Sequence, residues 1–271
     1  MKINILTLFP DMVRGGLSES IIKRAIDEGR LKLNIYNIRD FTVNKRRDVD
    51  DAPYGGGAGL IMQVEPIKNS LLSIDPTHQS HIIYVTPKGK QLTQERVKAL
   101  SESEHLTILC GHYEGFDQRI IDTYVDEEIS IGDYILTGGE LAAMVIVDAV
   151  VRLKPGVLNR DESHEIESFE DDLLEYPQYT RPECYCGLKV PEILLSGNHQ
   201  KIEEWRYAKQ LEMTYQRRPD LFRRHIAKCE ERADKKSAKR LIRCLTLVDL
   251  QHLVPQRLVA LSGLNRRNDR R

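Results

Sequence analysis

No apolar run in this sequence approaches roughly 18 residues, the length that a membrane-spanning helix needs. The first ten residues lack the apolar stretch and the small-residue cleavage site of a signal peptide, so we expect a buried first strand there. The five cysteines are odd in number and have no zinc-ligand spacing, which argues for reduced thiols rather than a disulfide framework. These absences predict a cytoplasmic protein with no membrane partner.

Two kinds of ligand site are also missing from the sequence. It contains neither Gly-x-x-x-x-Gly-Lys-Ser/Thr nor Gly-x-Gly-x-x-Gly, so no phosphate-binding loop is expected. The nearby acidic and imidazole side chains of His164, Glu165 and Glu167 form no standard zinc pattern. We therefore predict no metal site from the residues themselves.

Charge is unevenly distributed along the chain, although the formal net charge is only -1. Residues 201–271 contain 19 Lys and Arg against 9 Asp and Glu, a net charge of +10, so residues 1–200 carry -11. A basic end on an acidic body favours a polyanionic partner such as nucleic acid. Solvated helix faces are the alternative explanation.

The hydrophobic pattern predicts an α/β protein with a mostly parallel sheet, covered by helices on both faces, and a small all-α domain after it. Strands are predicted at 2–9, 31–37, 81–86, 106–110 and 127–131. Helices are predicted near 17–28, 65–74, 93–101, 117–123 and 139–151, and then at 200–216, 219–231, 237–245 and 248–261. The predicted domains are 1–160 and 176–271, joined by a flexible acidic linker at 161–175.

Two segments interrupt this alternation. Residues 42–60 are basic at Lys45, Arg46 and Arg47 and glycine-rich further on, which is typical of a functional loop, although a solvated basic loop is the alternative. Eight of the fifteen residues in 161–175 are acidic and none is Lys or Arg, a composition typical of a linker or solvated spacer.

Two glycine-containing loops follow predicted strands, Cys-Gly-His-Tyr-Glu-Gly at 110–115 and Ser-Ile-Gly-Asp-Tyr-Ile-Leu-Thr-Gly-Gly at 130–139. Glycine lets a backbone turn tightly and come close to a ligand, and ligands of α/β proteins bind at the carboxyl ends of strands. The two loops therefore predict one pocket walled by backbone and suited to the edges of an adenine or a similar ring. Two ordinary turns are the alternative.

Five motifs occur in the order found in one known family. They are Leu-Phe-Pro at 8–10, Pro-Tyr-Gly-Gly-Gly at 53–57, Gly-His-Tyr-Glu-Gly at 111–115, Ser-Ile-Gly-Asp-Tyr at 130–134 and Tyr-Pro-Gln-Tyr-Thr-Arg-Pro at 176–182. With these motifs the chain closely resembles, from residue 1 to about 255, the bacterial tRNA (guanine-N1)-methyltransferases. That family belongs to the SPOUT, or trefoil-knot, methyltransferases and modifies guanosine 37 beside the anticodon.

The resemblance implies a deep C-terminal trefoil knot in the α/β domain, with S-adenosylmethionine bound in it largely by backbone groups. Position by position it implies a cofactor site made of three stretches. These are Tyr84, Val85 and Thr86, then Gly111, Tyr113 and Glu114, then Ser130, Ile131, Gly132, Tyr134, Leu136, Gly138 and Gly139. For Tyr134 a place in the apolar core is the alternative.

Methylation of guanine at N1 requires a base that removes the N1 proton and a cation beside O6, where negative charge accumulates. Arg152 matches the family's arginine for O6, with an exposed cation at a helix end as the alternative. The family pattern Asp-Ser-Phe is replaced here by Glu167-Ser168-Phe169, so the expected base is Glu167. Glu175, before the Tyr-Pro motif, and Glu165 are alternatives for the same role.

The resemblance further implies tRNA as substrate, a homodimer with its active site between subunits, and a magnesium requirement that no residue of this sequence marks. Two other functions stay open. A catalytically impaired RNA-binding member of the same fold is favoured by the departures at Glu167 and Glu175. A methyltransferase of the same class acting on ribose or ribosomal RNA is disfavoured by the Tyr-Pro motif and by the helical end of the chain.

Overall fold

The computed structural model of the protein describes residues 1–158 and 167–263. The chain divides into two compact units, Met1–Asp161 and Glu162–Arg271. Part of the predicted acidic linker lies outside the described residues, and its remainder, from Glu167 onward, belongs to the second unit. The linker itself and its boundaries stay a prediction.

A five-stranded sheet organises the first unit. Its strands are β1 (Lys2–Thr7), β2 (Lys32–Asn37), β5 (His81–Gln91), β6 (His105–Cys110) and β7 (Glu127–Ser130), while β3 (Asp50–Asp51) and β4 (Ile61–Met62) form a separate short hairpin. The order across the sheet is β2-β1-β6-β5-β7, and every neighbouring pair is parallel. Strands β1 and β6 are buried at five of their six positions, as expected for a parallel sheet covered on both faces.

Six helices cover the sheet. They are α1 (Pro10–Leu17), α2 (Ser20–Asp27), α3 (Val64–Ile74), α4 (Gln94–Ser101), α5 (Gln118–Tyr124) and α6 (Glu140–Val151). Because side chains alternate along a strand, Ile5 faces the core shared with α1, α2, α4 and α6, whereas Leu6 faces the core shared with α3 and α5. The predicted α/β class with helices on both faces is confirmed.

Two predicted elements of the first unit are wrong in their bounds. The helix predicted at 17–28 corresponds to α2, which begins at Ser20, and a separate helix, α1, precedes it and ends at Leu17. Ser20, the first residue of α2, has a φ of 57°. Helix α1 begins at Pro10, whose fixed φ suits a first helical position. Strand β5 does not end at residue 86 but continues to Gln91, past a shift of register between Val85 and Lys90.

The second unit is helical. It contains the short hairpin β8 (Cys184–Tyr185) and β9 (Leu188–Lys189), followed by α7 (Glu192–Leu195), α8 (His199–Arg217), α9 (Pro219–Arg232), α10 (Lys235–Thr246) and α11 (Gln256–Ser262). Its core is formed mainly by α8 to α11, with Leu173 buried among them. The helix predicted at 248–261 is wrong: a 3₁₀ turn at Gln251–Leu253 precedes α11, because Pro255 cannot donate the hydrogen bond that a continuous helix needs.

Across residues 1–158 and 167–263, the helices are too short or too polar for any of them to cross a membrane.

Candidate active site

The carboxyl ends of three neighbouring strands, β6, β5 and β7, surround one cavity of about 430 Å³ in the first unit. This volume is typical of a site for a small molecule or cofactor. All thirteen residues predicted to bind a cofactor lie in its wall: Tyr84, Val85, Thr86, Gly111, Tyr113, Glu114, Ser130, Ile131, Gly132, Tyr134, Leu136, Gly138 and Gly139. The fold thus brings the three predicted stretches together, while their part in binding a cofactor stays a prediction.

The two glycine loops are joined to each other by backbone. The Gly139 N–H donates to the Gly111 carbonyl at 2.9 Å, and His112 bridges to Gly138 in antiparallel fashion. A Cβ atom at Gly139 would lie 2.6 Å from Val85 Cγ2 and 2.9 Å from Cys110 Cα. Only glycine therefore allows α6 to begin this close to the end of β6.

On the prediction that this cavity binds a cofactor, Gly139→Ala is expected to weaken that binding by about tenfold or more, which corresponds to roughly 1.4 kcal/mol. The added methyl group meets backbone atoms that cannot rotate away, so the wall of the cavity has to shift. Calorimetric titration with S-adenosylmethionine measures the effect. Gly15→Ala is the matched control, because a Cβ atom there meets no heavy atom within 4 Å. Equal affinity in both variants would show that the Gly139 contact is not critical.

The aromatic side chains of the cavity differ in burial. Tyr84 is 5% exposed and stacks on Phe116 with ring centroids 4.6 Å apart, and burial raises its pKa, so its hydroxyl keeps its proton. Tyr134 is 54% exposed. The alternative that Tyr134 belongs to the apolar core is therefore wrong, and its ring is accessible at the rim of the cavity.

Glu114 ties the cavity to the glycine-rich loop that follows the basic residues 45–47. Its N–H donates to the Leu60 carbonyl at 2.9 Å, and the Met62 N–H donates to the Gly115 carbonyl at 2.9 Å. The Glu114 carboxylate lies against Gly59, whose φ is +86°. The functional loop predicted at 42–60 thus has its far end hydrogen-bonded to one wall of the cavity.

A buried polar group behind the cavity was missed by the sequence analysis. Glu140, 2% exposed in the first turn of α6, accepts a hydrogen bond from Thr7 Oγ1 at 2.7 Å, and Thr7 Oγ1 in turn accepts from the Phe9 N–H at 2.9 Å. A carboxylate is favourable at a helix N-terminus. Burial, together with the Glu140 carboxylate, raises the pKa of the Cys110 thiol well above its usual value, which keeps it protonated and unreactive.

His112 is a second residue that was not singled out, although it lies inside the first glycine motif. It lines the cavity, and its ring packs on Phe9 with centroids 4.9 Å apart. Its Nδ1 is buried and has no hydrogen-bond partner among the described residues. Buried nitrogen atoms in proteins are normally hydrogen-bonded, and a ligand bound in the cavity could provide the hydrogen-bonding partner that Nδ1 lacks. Its position between Gly111 and Tyr113 was the signal available in the sequence.

The three candidate catalytic residues are divided between the units. Arg152 is the C-terminal cap of α6 in the first unit, and its N–H donates to the Asp148 carbonyl at 3.2 Å. Glu167 and Glu175 are half-buried residues of the second unit, and the Glu175 N–H donates to Ser168 Oγ at 3.1 Å. The alternative base Glu165 lies outside the described residues.

Cations are concentrated on the helices of the second unit. In α10 the side chains of Lys235, Lys236, Lys239 and Arg243 are exposed, and Arg240 lies over the ring of Tyr207 at 4.7 Å. In α9, Arg224 and Lys228 form ion pairs with Asp172, and Arg232 forms one with Asp171. Of the basic triplet in the first unit, Arg47 pairs with Asp40. Arg243 forms an ion pair with Glu204, while the exposed lysines of α10 are available to a polyanion.

A parallel α/β unit with a backbone-walled cavity at the carboxyl ends of its strands is the architecture of a protein that binds a small ligand or cofactor there. Comparison with known proteins narrows this class. Residues 1–224 match the family described as tRNA (Guanine-1)-methyltransferase TrmD, and the chain belongs to that family of methyltransferases. The match ends within α9, so the resemblance from there to about residue 255 stays a prediction.

Individual relatives agree with the family match. The chain is 53% identical over 227 residues to the tRNA (guanine-N(1)-)-methyltransferase of Clostridioides difficile strain 630, which covers 83% of this chain and 98% of that protein. It is 50% identical over 225 residues to the protein of the same name from Staphylococcus epidermidis strain RP62A, and 49% identical over 225 residues to that of Staphylococcus aureus strain JH9. In both, 83% of this chain and 92% of the relative are covered.

Proposed function

We propose that the protein transfers a methyl group from S-adenosylmethionine to N1 of guanosine 37 in tRNA. The observation that carries this proposal is the cavity of the first unit, whose wall contains all thirteen residues expected from the resemblance. The names of its relatives, which are methyltransferases of guanine N1 in tRNA, support the reaction. Position 37 rests on the resemblance of the motifs.

The cavity suits S-adenosylmethionine in size and chemistry. Its glycine loops present backbone N–H and C=O groups at close range, which fits the hydrogen-bonding edge of an adenine, and Glu114 supplies a carboxylate for an ammonium group. The buried Nδ1 of His112 offers one further polar contact. When bound, S-adenosylmethionine supplies a methyl group made electrophilic by the positively charged sulfur.

The remaining chemistry belongs to side chains of the protein. The N1 lone pair of guanine is unavailable at neutral pH because N1 carries a proton, so a carboxylate has to accept that proton as N1 attacks. We assign this role to Glu167. The guanine then accumulates negative charge on O6, and we assign Arg152 to stabilise it.

Glu167 differs from the aspartate of the family pattern by one methylene group. That difference moves the carboxylate oxygens by roughly 1 Å unless the backbone compensates, and a misplacement of this size can cost about 10²-fold in rate. We propose that the local backbone around Glu167 absorbs the difference. Glu175, which lies near the same turn, is the second candidate for the base.

The charge distribution supports different roles for the two units, with the cofactor bound by the first and tRNA bound by the second. The cation-rich helices that follow residue 200 suit the phosphates of an anticodon stem, and the target guanine has to leave its stacked loop to be methylated. We propose, with the resemblance, a cytoplasmic homodimer whose active site lies between subunits and whose α/β unit contains the trefoil knot. Within residues 1–158 and 167–263 no His, Cys, Asp and Glu side chains gather into a metal-binding group, so the implied magnesium has no assigned ligands.

A catalytically impaired RNA-binding protein is the second candidate function, and the glutamate at 167 is the observation that favours it. The two functions differ in what they require of the cavity. Calorimetry with S-adenosylmethionine separates them, because a protein that only binds RNA has no need of cofactor affinity. Micromolar binding supports the enzyme, and its absence supports the second candidate.

A methylation assay on matched tRNA transcripts tests the proposed function directly. Transcripts with guanosine at position 37 are expected to gain N1-methylguanosine, and transcripts with adenosine there are expected to gain none. Mass spectrometry of the nuclease-digested product identifies the methylated atom. Methylation of ribose, or of a guanosine elsewhere in the transcript, would reject the assignment.

A fragment ending near Gly156 is expected to bind S-adenosylmethionine and to lose most of its affinity for tRNA. The reason is that the cavity lies wholly in the first unit, which has its own apolar cores, while the net charge of +10 lies after residue 200. Titrations with both ligands measure this. For the full chain, tRNA affinity should fall steeply with salt, by a logarithmic slope of about -0.7 to -0.9 per neutralised phosphate. Undiminished tRNA binding by the fragment would contradict the prediction.

A further inference from the structure

One candidate base, Glu175, lies in a closed turn, and the other, Glu167, directly precedes that turn. The Phe169 N–H donates to the Leu173 carbonyl at 2.7 Å, and the Glu175 N–H donates to Ser168 Oγ at 3.1 Å. Ser168 is the immediate neighbour of Glu167. The backbone positions of Glu167 and Glu175 are therefore set by the same turn, which we call the 168–175 turn.

The backbone of the 168–175 turn is unusual for residues with side chains. Phe169, Asp171 and Asp172 have φ angles of 78°, 50° and 59°, in the left-handed region that favours glycine. Residues in this region persist where the surrounding structure holds them in place, and such residues cluster at functional sites. Since no glycine relieves this turn, contacts from elsewhere have to maintain its shape.

Four side chains of α9 supply those contacts. Arg232 donates to the Asp171 carboxylate at 2.7 Å, while Arg224 and Lys228 reach the Asp172 carboxylate at 3.0 and 2.6 Å. Asp172 is largely buried, and burial alone would raise its pKa, but the hydrogen bonds from Lys228 and Arg224 lower the pKa below its ordinary value. Asp172 thus remains ionised, and both aspartates are paired with cations of α9. We call Arg224, His225, Lys228 and Arg232 the α9 clamp.

His225 is the residue of the α9 clamp that contacts the backbone of the 168–175 turn. It is 1% exposed, and its Nδ1 lies 2.7 Å from the Asp171 carbonyl oxygen, which only accepts hydrogen bonds, so Nδ1 has to carry the proton. Its Nε2 then accepts from the Tyr207 hydroxyl at 2.9 Å. Burial lowers the pKa of His225 and raises that of Tyr207, which keeps the ring neutral and the hydroxyl protonated. The two hydrogen bonds therefore run in the same direction: the Tyr207 hydroxyl donates to His225, and His225 donates to the Asp171 carbonyl.

The turn is also fixed on its other side. Leu173 is buried among the apolar residues of the second unit, and the Leu174 N–H donates to Thr214 Oγ1 of α8 at 2.8 Å. Phe169, between the two candidate bases, remains 50% exposed. The turn is thus held by contacts from α8 and α9, while the Phe169 side chain stays half exposed.

We propose that the α9 clamp is a positioning device for methyl transfer, holding the 168–175 turn so that a carboxylate at Glu167 or Glu175 meets the N1 proton of guanine. His225 and Arg232 are positioning residues in this account, and they act through the turn without touching the reacting atoms. The inference rests on the proposed function. His225, Lys228 and Arg232 lie beyond the residues that match the family.

Single-turnover methyl transfer at saturating tRNA, measured beside the dissociation constants for S-adenosylmethionine and tRNA, tests the proposal. His225→Ala and Arg232→Ala are expected to slow the transfer step by about tenfold to a hundredfold, the cost of displacing a catalytic group by up to 1 Å. The dissociation constant for S-adenosylmethionine should stay within about twofold, and saturating tRNA keeps any change in tRNA affinity out of the measured transfer rate. His225→Asn retains a donor at the position of Nδ1 and is expected to recover most of the rate.

Glu231→Gln is the matched control, because Glu231 is exposed on the same helix beside Arg232 and belongs neither to the α9 clamp nor to the cations proposed to bind tRNA. Hydrogen exchange at the amides of Phe169, Leu174 and Glu175 gives a readout that does not depend on activity, and exchange should accelerate in His225→Ala. Arg232 is exposed, so Arg232→Ala keeps the test valid if His225→Ala fails to fold.

Three results would overturn the positioning role. They are a normal transfer rate in both clamp variants, a loss of rate explained wholly by weaker tRNA binding, and unchanged amide exchange in the 168–175 turn. The unmodified protein separates this inference from the proposed function. If it transfers no methyl group to guanine N1, the proposed function fails and the positioning role falls with it. If it does and the clamp variants match it, only the clamp is wrong.

Discussion

Glu167→Gln is expected to lower the single-turnover rate of methyl transfer by a factor of about 10²–10⁴, the usual contribution of a general base. Glutamine keeps the shape and much of the hydrogen bonding of glutamate but cannot accept the N1 proton. The rate of the unmodified protein should rise with pH until the carboxylate is ionised, and the variant should lose that rise. Single-turnover rates measured across pH check both expectations.

Two further variants serve as comparisons for the rate of Glu167→Gln. Glu167→Asp restores the residue of the family pattern and should remain active, because the carboxylate is retained. Glu183→Gln removes one carboxylate from an exposed position of the same unit and should leave the rate unchanged. A nearly silent Glu167→Gln beside a severe Glu175→Gln would move the base to Glu175 and would show that the motif alignment across the turn is wrong.

Arg152→Ala is expected to slow methyl transfer by about 10²–10³, the typical cost of removing one donor to a developing oxyanion. Cofactor affinity should change by less than about threefold, because charge on O6 exists mainly in the transition state. Rates and cofactor dissociation constants measured on the same preparation distinguish the two effects.

Lys154→Ala is the matched control for Arg152. It removes a cation two residues further along the chain, whose Nζ donates to the Ser101 carbonyl at 2.9 Å, outside the cavity. The transfer rate should be unaffected. Equal losses of rate and of cofactor affinity in Arg152→Ala would instead assign Arg152 a structural role at the end of α6.

Structural features that depend on a single segment of the chain could be predicted from the sequence. Alternating apolar runs predicted the five strands of the sheet, and the glycines at 111 and 139 marked the places where backbones approach closely. Errors occurred where local signals conflict. The helix predicted at 17–28 begins only at Ser20, after α1 has ended at Leu17, and Pro255 separates the last turn from α11. At Pro255 a backbone restriction outweighs an amphipathic pattern.

Contacts between residues that are distant in the sequence could not be predicted from the sequence. Thr7 and Glu140, 133 residues apart, meet behind the cavity, and His225 reaches the Asp171 carbonyl across 54 residues. Neither pairing leaves a periodic pattern, since a hydrogen bond between two side chains or to a carbonyl depends on where the elements pack. For the same reason His112 and Glu140 were passed over, although both lie within or beside the glycine motifs.

Composition and neighbouring residues were enough to predict the α/β class, the glycine loops at strand ends, the division of charge at residue 200 and the family motifs. The tertiary structure alone decided that β5 lies between β6 and β7, so that three stretches distant in sequence enclose one cavity. It also decided that α9 holds the 168–175 turn in a left-handed shape without glycine. Strand order and helix packing follow from the burial of the whole core, which no single segment encodes.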